Sequence, residues 1–266
     1  MHRAFVPQLT IHLWGTLLSL VIAFQILPGF HLINDWVQKW NAESELNTQN
    51  QAPEVKIIFP ADGSEHPMGT MIRYQIAVTD HEDGTSEFGE ILPQMVLLEA
   101  TMLPGAPEAK RYRANLLGSE SDPPGLGLIK SSGCFNCHSD KTRLVGPSWQ
   151  QLTQRYTPDP GTLQTLAHHV IHGSKGNWGE EPMPANPDLS TKELAVMIPY
   201  MLSQGAKIQS CIYPGLEGSV QLMDLTQSNV DQGVYVLTAS YTDSGIEGDS
   251  STRKRSQHSI LVKVVP

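Results

Sequence analysis

Cysteine is scarce in this sequence: three residues in a chain of 266, too few for a disulfide scaffold and odd in number, so they cannot all pair internally. Long basic runs are missing as well. The longest is Arg253-Lys254-Arg255, and the formal charge is −9, from 18 Lys and Arg against 27 Asp and Glu. The electrostatic footprint of a nucleic-acid binder is therefore absent. No repeat with a period of roughly 40 to 50 residues occurs, which excludes a β-propeller. With 39% hydrophobic residues the chain is not disordered throughout, and its length allows one large domain or two small ones with linkers.

Charge is also missing locally. From Ala4 to Asn34 there is no Asp, Glu, Lys or Arg, and Leu13 to Ile33 is mostly apolar, close to the ~20 residues a helix needs to cross a bilayer. No small-residue cleavage tripeptide stands between Ile22 and Ala42, so an uncleaved anchor is preferred to a cleaved signal. Pro28-Gly29 would bend or end the helix, and Trp36 and Trp40 suit a membrane interface. Arg3 precedes the span, whereas Asp35, Lys39, Glu43 and Glu45 follow it, which places the N-terminus in the cytoplasm and the remaining chain outside.

Beyond a polar linker the text turns strand-like. Val55 to Phe59, Met71 to Asp80 and Ile91 to Met102 are rich in Val, Ile, Tyr and Leu and are separated by turns such as Glu82-Asp83-Gly84. Pro104 to Gly127, with Pro107 and Pro123-Pro124-Gly125, reads as a surface connection. Helical spacing follows, with short helices over Pro147 to Tyr156 and Thr162 to His172. Ser190 and Glu193 form a capping box ahead of Leu194, Met197, Ile198, Met201 and Leu202, which mark one buried face. Pro199 lies inside that helix, where it removes a hydrogen bond to Ala195 at a cost of ~3 kcal/mol unless packing compensates. Strands resume over Ser219 to Leu225, Gly233 to Tyr241 and Ser259 to Val265. Neither β flank is long enough for a sandwich of ~100 residues, but together they are about that size. One sandwich, split by the helical segment, is preferred to two independent β modules. Asp231-x-Gly233-x-Tyr235 resembles the tyrosine corner of immunoglobulin-like domains.

Cys134-Phe135-Asn136-Cys137-His138 is C-x-x-C-H, the attachment signature of a c-type haem. Two thiols on one turn can each add to one porphyrin vinyl group, and the His that follows is then placed under the iron. A redox dithiol or half a zinc site would also use C-x-x-C, but no second pair and no thioredoxin-like βαβ pattern accompanies it. From about Gly125 to Gln204 the sequence resembles class I cytochromes c, with a short helix running into Cys134, then Val145-Gly146-Pro147, then Glu181-Pro182-Met183-Pro184 before the last helix. The resemblance implies one covalently attached haem c, with His138 and Met183 as axial ligands and the Pro147 carbonyl accepting from the second nitrogen of His138. It also implies Trp178 beside a haem propionate. His168, His169 and His172 are the competing candidates for the sixth position, and bis-histidine ligation would lower the potential. Met197 and Met201 read as core filler.

The β flanks resemble the PKD-like sandwich tails of large pyrroloquinoline quinone sugar dehydrogenases. The propeller of those enzymes is absent here, so the resemblance implies a redox partner and no dehydrogenase activity. The fold expected is α + β and multidomain: a membrane anchor or signal over 1–34, a linker over 35–52 and the first part of an immunoglobulin-like β-sandwich over 53–104. A linker over 105–125, a small all-α cytochrome c domain over 126–206 and the second sandwich part over 212–266 complete it. The function expected is one-electron transfer by a membrane-anchored, extracytoplasmic monohaem cytochrome c that accepts electrons from a periplasmic dehydrogenase or serves a respiratory acceptor. A haem-based sensor, or a ligand-binding protein using the sandwich as a partner or carbohydrate-binding module, is the alternative. Charges between Leu126 and Ala206 cancel, so the whole −9 lies outside the haem segment. Two further readings stay open: a Ca²⁺ site at Asp80, Glu82 and Asp83 against a solvated acidic loop, and Cys211 as a buried thiol against an intermolecular one.

Overall fold

A computed structural model describes residues 38–39, 50–116, 121–223, 233–246 and 249–266. The apolar N-terminal span lies outside the described residues, as does Asp231. Among the described residues no helix is long and apolar enough to cross a membrane.

The β text forms two sheets. In the first, β1 (Glu54–Phe59), β4 (Gly84–Thr85) and β7 (Glu217–Gln221) all pair antiparallel with β3 (Met71–Asp80). In the second, β2 (Glu65–Pro67), β9 (Arg255–Val265), β8 (Gly233–Thr242), β5 (Leu97–Leu103) and β6 (Ser210–Pro214) lie in that order, with β2 parallel to β9 and the other pairs antiparallel. Alternation explains the facing. In β3, Ile72, Tyr74, Ile76 and Val78 point inward between exposed Met71, Arg73 and Gln75, and they share one core with Leu98, Ala100, Leu237, Ala239 and Val262 of the second sheet. Each aliphatic side chain fully buried there contributes about 1.5–3 kcal/mol. Tyr235 accepts a hydrogen bond from the Met223 backbone N–H at 3.0 Å, so its hydroxyl ties strand β8 to the chain twelve residues upstream.

Strand β8 is buried on both faces because the second sheet is covered on its outer side. Part of that cover is a helix where the sequence reading put a linker. Residues Ala106–Leu116 form α1, and Ala109, Tyr112 and Leu116 pack against Leu103, Val234, Val236 and Leu261. Pro107 stands in the first turn, where its missing N–H has no partner to lose, so it starts this helix where the sequence reading took it for a break.

The helical segment lies between β5 and β6, two strands that are neighbours in the sheet. It comprises α2 (Pro124–Ser131), α3 (Trp149–Arg155), α4 (Pro160–His172) and α5 (Thr191–Gly205). Both hydrogen bonds of the Ser190–Glu193 capping box are made, and α5 continues through Pro199 to Gly205. Close backbone approach holds α5 to its neighbours. A Cβ on Gly125 would meet Tyr200 Cβ at 2.5 Å and the Val196 carbonyl at 2.9 Å, and one on Gly205 would meet the Trp149 carbonyl oxygen at 2.4 Å. Leu97 of β5 and Ile212 of β6 are buried in the same core as Ile129, Phe135, Trp149, Met197 and Leu202, so helices and sheet share apolar packing.

Polar groups join them too. The Lys130 ammonium on α2 donates to Asp122 Oδ2 at 2.8 Å, Thr242 Oγ1 of β8 donates to the same oxygen at 2.9 Å, and Arg255 Nε of β9 donates to Asp122 Oδ1 at 3.0 Å. Burial alone would raise the Asp122 carboxyl, but the Lys130 ammonium and these hydrogen bonds overrule it and hold the group below the usual carboxylate range. Asp140, fully buried, accepts from the Ile212 N–H at 3.1 Å. Cys211 on β6 is half-buried, its thiol pushed up to about 12 by burial and by the nearby Asp140 carboxylate. In the acidic loop, Asp80 Oδ1 accepts from the N–H groups of Glu82 and Asp83, and Asp83 accepts from Tyr241 and the Ser244 N–H. Among the described residues no three His, Cys, Asp or Glu side chains are arranged to hold a metal ion.

Candidate cofactor site

The C-x-x-C-H motif sits on one short turn. Gly133, at φ 67°, ends α2 in a left-handed conformation that favours glycine and turns the chain into a single 3-10 turn over Cys134–Asn136. The N–H groups of Cys137 and His138 both donate to the Cys134 carbonyl, at 3.2 and 3.0 Å. That turn directs the His138 ring against the next loop. Gly146 leaves the room: a Cβ there would lie 2.5 Å from His138 Cε1.

His138 Nδ1 lies 2.7 Å from the Pro147 carbonyl oxygen. A carbonyl can only accept, so Nδ1 carries the proton and the neutral ring keeps its lone pair on Nε2. Burial pushes the imidazole below its ordinary pKa, and the Pro147 hydrogen bond opposes this only in part. A neutral imidazole with an oriented, free nitrogen can serve as a metal ligand.

Met183 comes from a separate segment. Its backbone forms an isolated antiparallel bridge with Ser174, with N–H to carbonyl distances of 2.8 and 3.1 Å, and Pro182 and Pro184 flank it. Gly173, at φ 78°, makes the approach possible, since a Cβ there would meet the Met183 carbonyl oxygen at 2.8 Å. Two hydrogen bonds and two prolines reduce the entropy lost when the long thioether side chain is held in one place.

Cys137, His138, Pro147, Trp178 and Met183 line one cleft that is partly open to solvent. Cys134 is not among its lining residues; it packs on the helical core, where burial pushes its thiol pKa up. Of the three histidines on α4, His169 lines the cleft, whereas His168 and His172 are exposed. The remaining walls are largely aliphatic, with Leu152, Leu166, Val170, Ile198 and Met201 among them. An apolar cleft that carries an imidazole nitrogen and a thioether fits a large apolar prosthetic group with a metal at its centre, and the Cys137 thiol at its wall fits covalent attachment.

Sequence reasoning missed what holds the Trp178 loop. Arg143 Nη2 donates to the Trp178 carbonyl and Arg155 Nη1 to the Asn177 carbonyl. The Arg155 guanidinium also lies 4.7 Å from the Trp178 ring centre and 5.7 Å from that of Tyr156. These partners stand 35 and 22 residues apart, beyond the reach of any helix or strand period.

The model of the cytochrome c family matches residues 125–205. Cytochrome c-551 of Azotobacter vinelandii is 39% identical over 79 residues, a stretch that covers 30% of this chain and 95% of that protein. Cytochrome c-551 of Stutzerimonas stutzeri is 38% identical over 79 residues, covering 30% of this chain and 75% of that one. A crystal structure of Nitrosomonas europaea cytochrome c552 is 29% identical and covers 30% of this chain and 98% of that chain, with a TM-score of 0.28. The chain spans almost the whole of the Azotobacter relative with the attachment motif, the Pro147 turn and the Met183 loop in order, and it belongs to the cytochrome c family, with one covalently attached haem c as its cofactor.

Proposed function

We propose that the protein is an exported, membrane-anchored, monohaem electron carrier in which Cys134 and Cys137 would hold the haem covalently and His138 and Met183 would ligate its iron. The observation that carries this is the cleft itself, which brings together His138, with its Nδ1 proton engaged by Pro147, and the Met183 loop. Haem c supplies a one-electron ferric–ferrous couple. The chain's own residues do the rest. Pro147 orients His138, the Ser174 bridge and flanking prolines steady Met183, and the aliphatic walls keep water from the site. A Met/His pair in an apolar site favours the reduced state and a positive potential. With His138 and Met183 both ligating the iron, no coordination site would be left for a substrate, so we propose electron transfer and no catalytic role.

The rest of the reading concerns placement and partner. The apolar span over Leu13 to Ile33 would hold the haem domain on the periplasmic side, and the PKD-like resemblance of the β flanks points to a separate periplasmic dehydrogenase as donor, with a respiratory component as acceptor. The test is the visible spectrum of oxidised and reduced protein matured in a cytochrome-c-competent periplasm, with Met183→Ala beside it. A low-spin c-type spectrum with the weak sulfur-to-iron band, lost in the variant, is the expected outcome. A Met183→Ala protein with an unchanged spectrum would move the sixth ligand to His169, and a wild type without covalent haem would overturn the assignment.

A further inference from the structure

The three histidines of α4 divide between two faces of the helix. His169 faces the cleft, while His168 and His172, four residues apart, lie on the exposed side. Residues at i and i+4 are neighbours on a helix surface. Here the two rings stand 4.4 Å apart between centres, at an interplanar angle of 47°. Among the described residues they contact other histidine rings but make no hydrogen bond or ion pair. Their ring nitrogens are thus uncommitted, unlike those of His66, His81, His138 and His258, each of which meets an oxygen or an N–H.

We propose that His168 and His172 form a surface chelate for a borderline divalent transition-metal ion such as Zn²⁺ or Cu²⁺, with water completing its coordination shell. Three arguments support it. Imidazole suits these ions, and paired histidines at this helical spacing are a known way of presenting two nitrogens to one ion. Two Zn–N bonds of about 2.0–2.1 Å in a tetrahedral shell span nitrogens roughly 3.3 Å apart, a separation that rings with centres 4.4 Å apart reach by rotating about their terminal bonds. His172 is also the last residue of α4, so the ion would lie at the negative end of the helix dipole, near backbone carbonyls that have no partner within the helix. The site is separate from the haem ligands, and its existence does not depend on the assignment of His138 and Met183.

The test is calorimetric titration of the untagged, haem-loaded full chain with ZnCl₂, comparing wild type with His168→Ala, His172→Ala and His81→Ala. Alanine is the better helix former at both α4 positions, so the helix is kept. The last variant removes the histidine beside the acidic loop, the competing place for a cation. One Zn²⁺ per chain is expected, with each α4 substitution weakening binding by roughly tenfold or more and His81→Ala leaving it unchanged. Absence of binding at millimolar Zn²⁺ would overturn the proposal. So would binding that survives the His168→Ala/His172→Ala double substitution or is lost in His81→Ala.

Discussion

Gly146 has no room for a side chain, because a β-carbon there would run into the imidazole of His138. A methyl group there must push the ring away, and Nδ1, which makes the 2.7 Å contact with the Pro147 carbonyl, is among the ring atoms it would meet, at 2.9 Å. Gly146→Ala is therefore expected to break that contact, to cost about 1–3 kcal/mol of stability, and to lower covalent haem content in a pyridine haemochrome assay. A variant with full haem content and unchanged stability would show that the loop yields freely. His138 itself shows how a residue acquires a role by position. The motif names it as a ligand, but the loop nine residues later sets which of its nitrogens carries the proton.

Among the elements, α2 is the one that joins the haem motif to the sheet. Lys130 is buried, with its side chain 1% exposed, and its ammonium is neutralised by Asp122, which also meets Thr242 and Arg255. Asp122→Ala would leave that ammonium buried without its partner, at a cost of about 3–5 kcal/mol in urea unfolding at neutral pH. The sign with pH follows from the carboxyl's depressed pKa. Its contribution is complete above the ~3.9 of an unfolded aspartate and is lost as pH falls through the lower folded value. The stability gap between wild type and Asp122→Ala should accordingly narrow in acid; a gap that is constant from neutral pH down to pH ~2 would show that Asp122 does not act through its charge. The helical elements were largely legible. The Ser190 capping box, the heptad-like apolar face after it and the C-x-x-C-H turn all lie within a few residues of sequence. Two things were not. Helix α1 reads as a linker in the sequence because Pro107 and a weakly amphipathic run conceal it, and only the Val234 and Val236 face of β8, far along the chain, gives Ala109 and Tyr112 something to bury against. The Asp122–Arg255 pair spans 133 residues and carries no local signature.

At the scale of the whole molecule, the helical insert and the sandwich are joined by apolar packing through Leu97 and Ile212, by the Asp122 network and by the Asp140 contact with the β6 backbone. Contacts of three kinds across one boundary predict a single cooperative transition. Thermal unfolding followed by far-ultraviolet dichroism and by haem absorbance should give coincident midpoints, whereas well-separated midpoints would mean that the two parts unfold independently. That β segments lie on both sides of the helical insert was readable from the sequence. Which strands meet was not, because pairs such as Leu97 with Pro214 are set by the core they share. The interruption of β5 and β6 also sets a schedule. Synthesis runs from the N-terminus, and the early strands of the second sheet, β2 and β5, take all their partners from residues beyond the insert. Cys134, Cys137 and His138 therefore lie ahead, in order of synthesis, of every strand that can close that sheet. A chain interrupted anywhere in the insert holds β2 and β5 without a partner in their own sheet, so closure of the second sheet waits on its last-made strands.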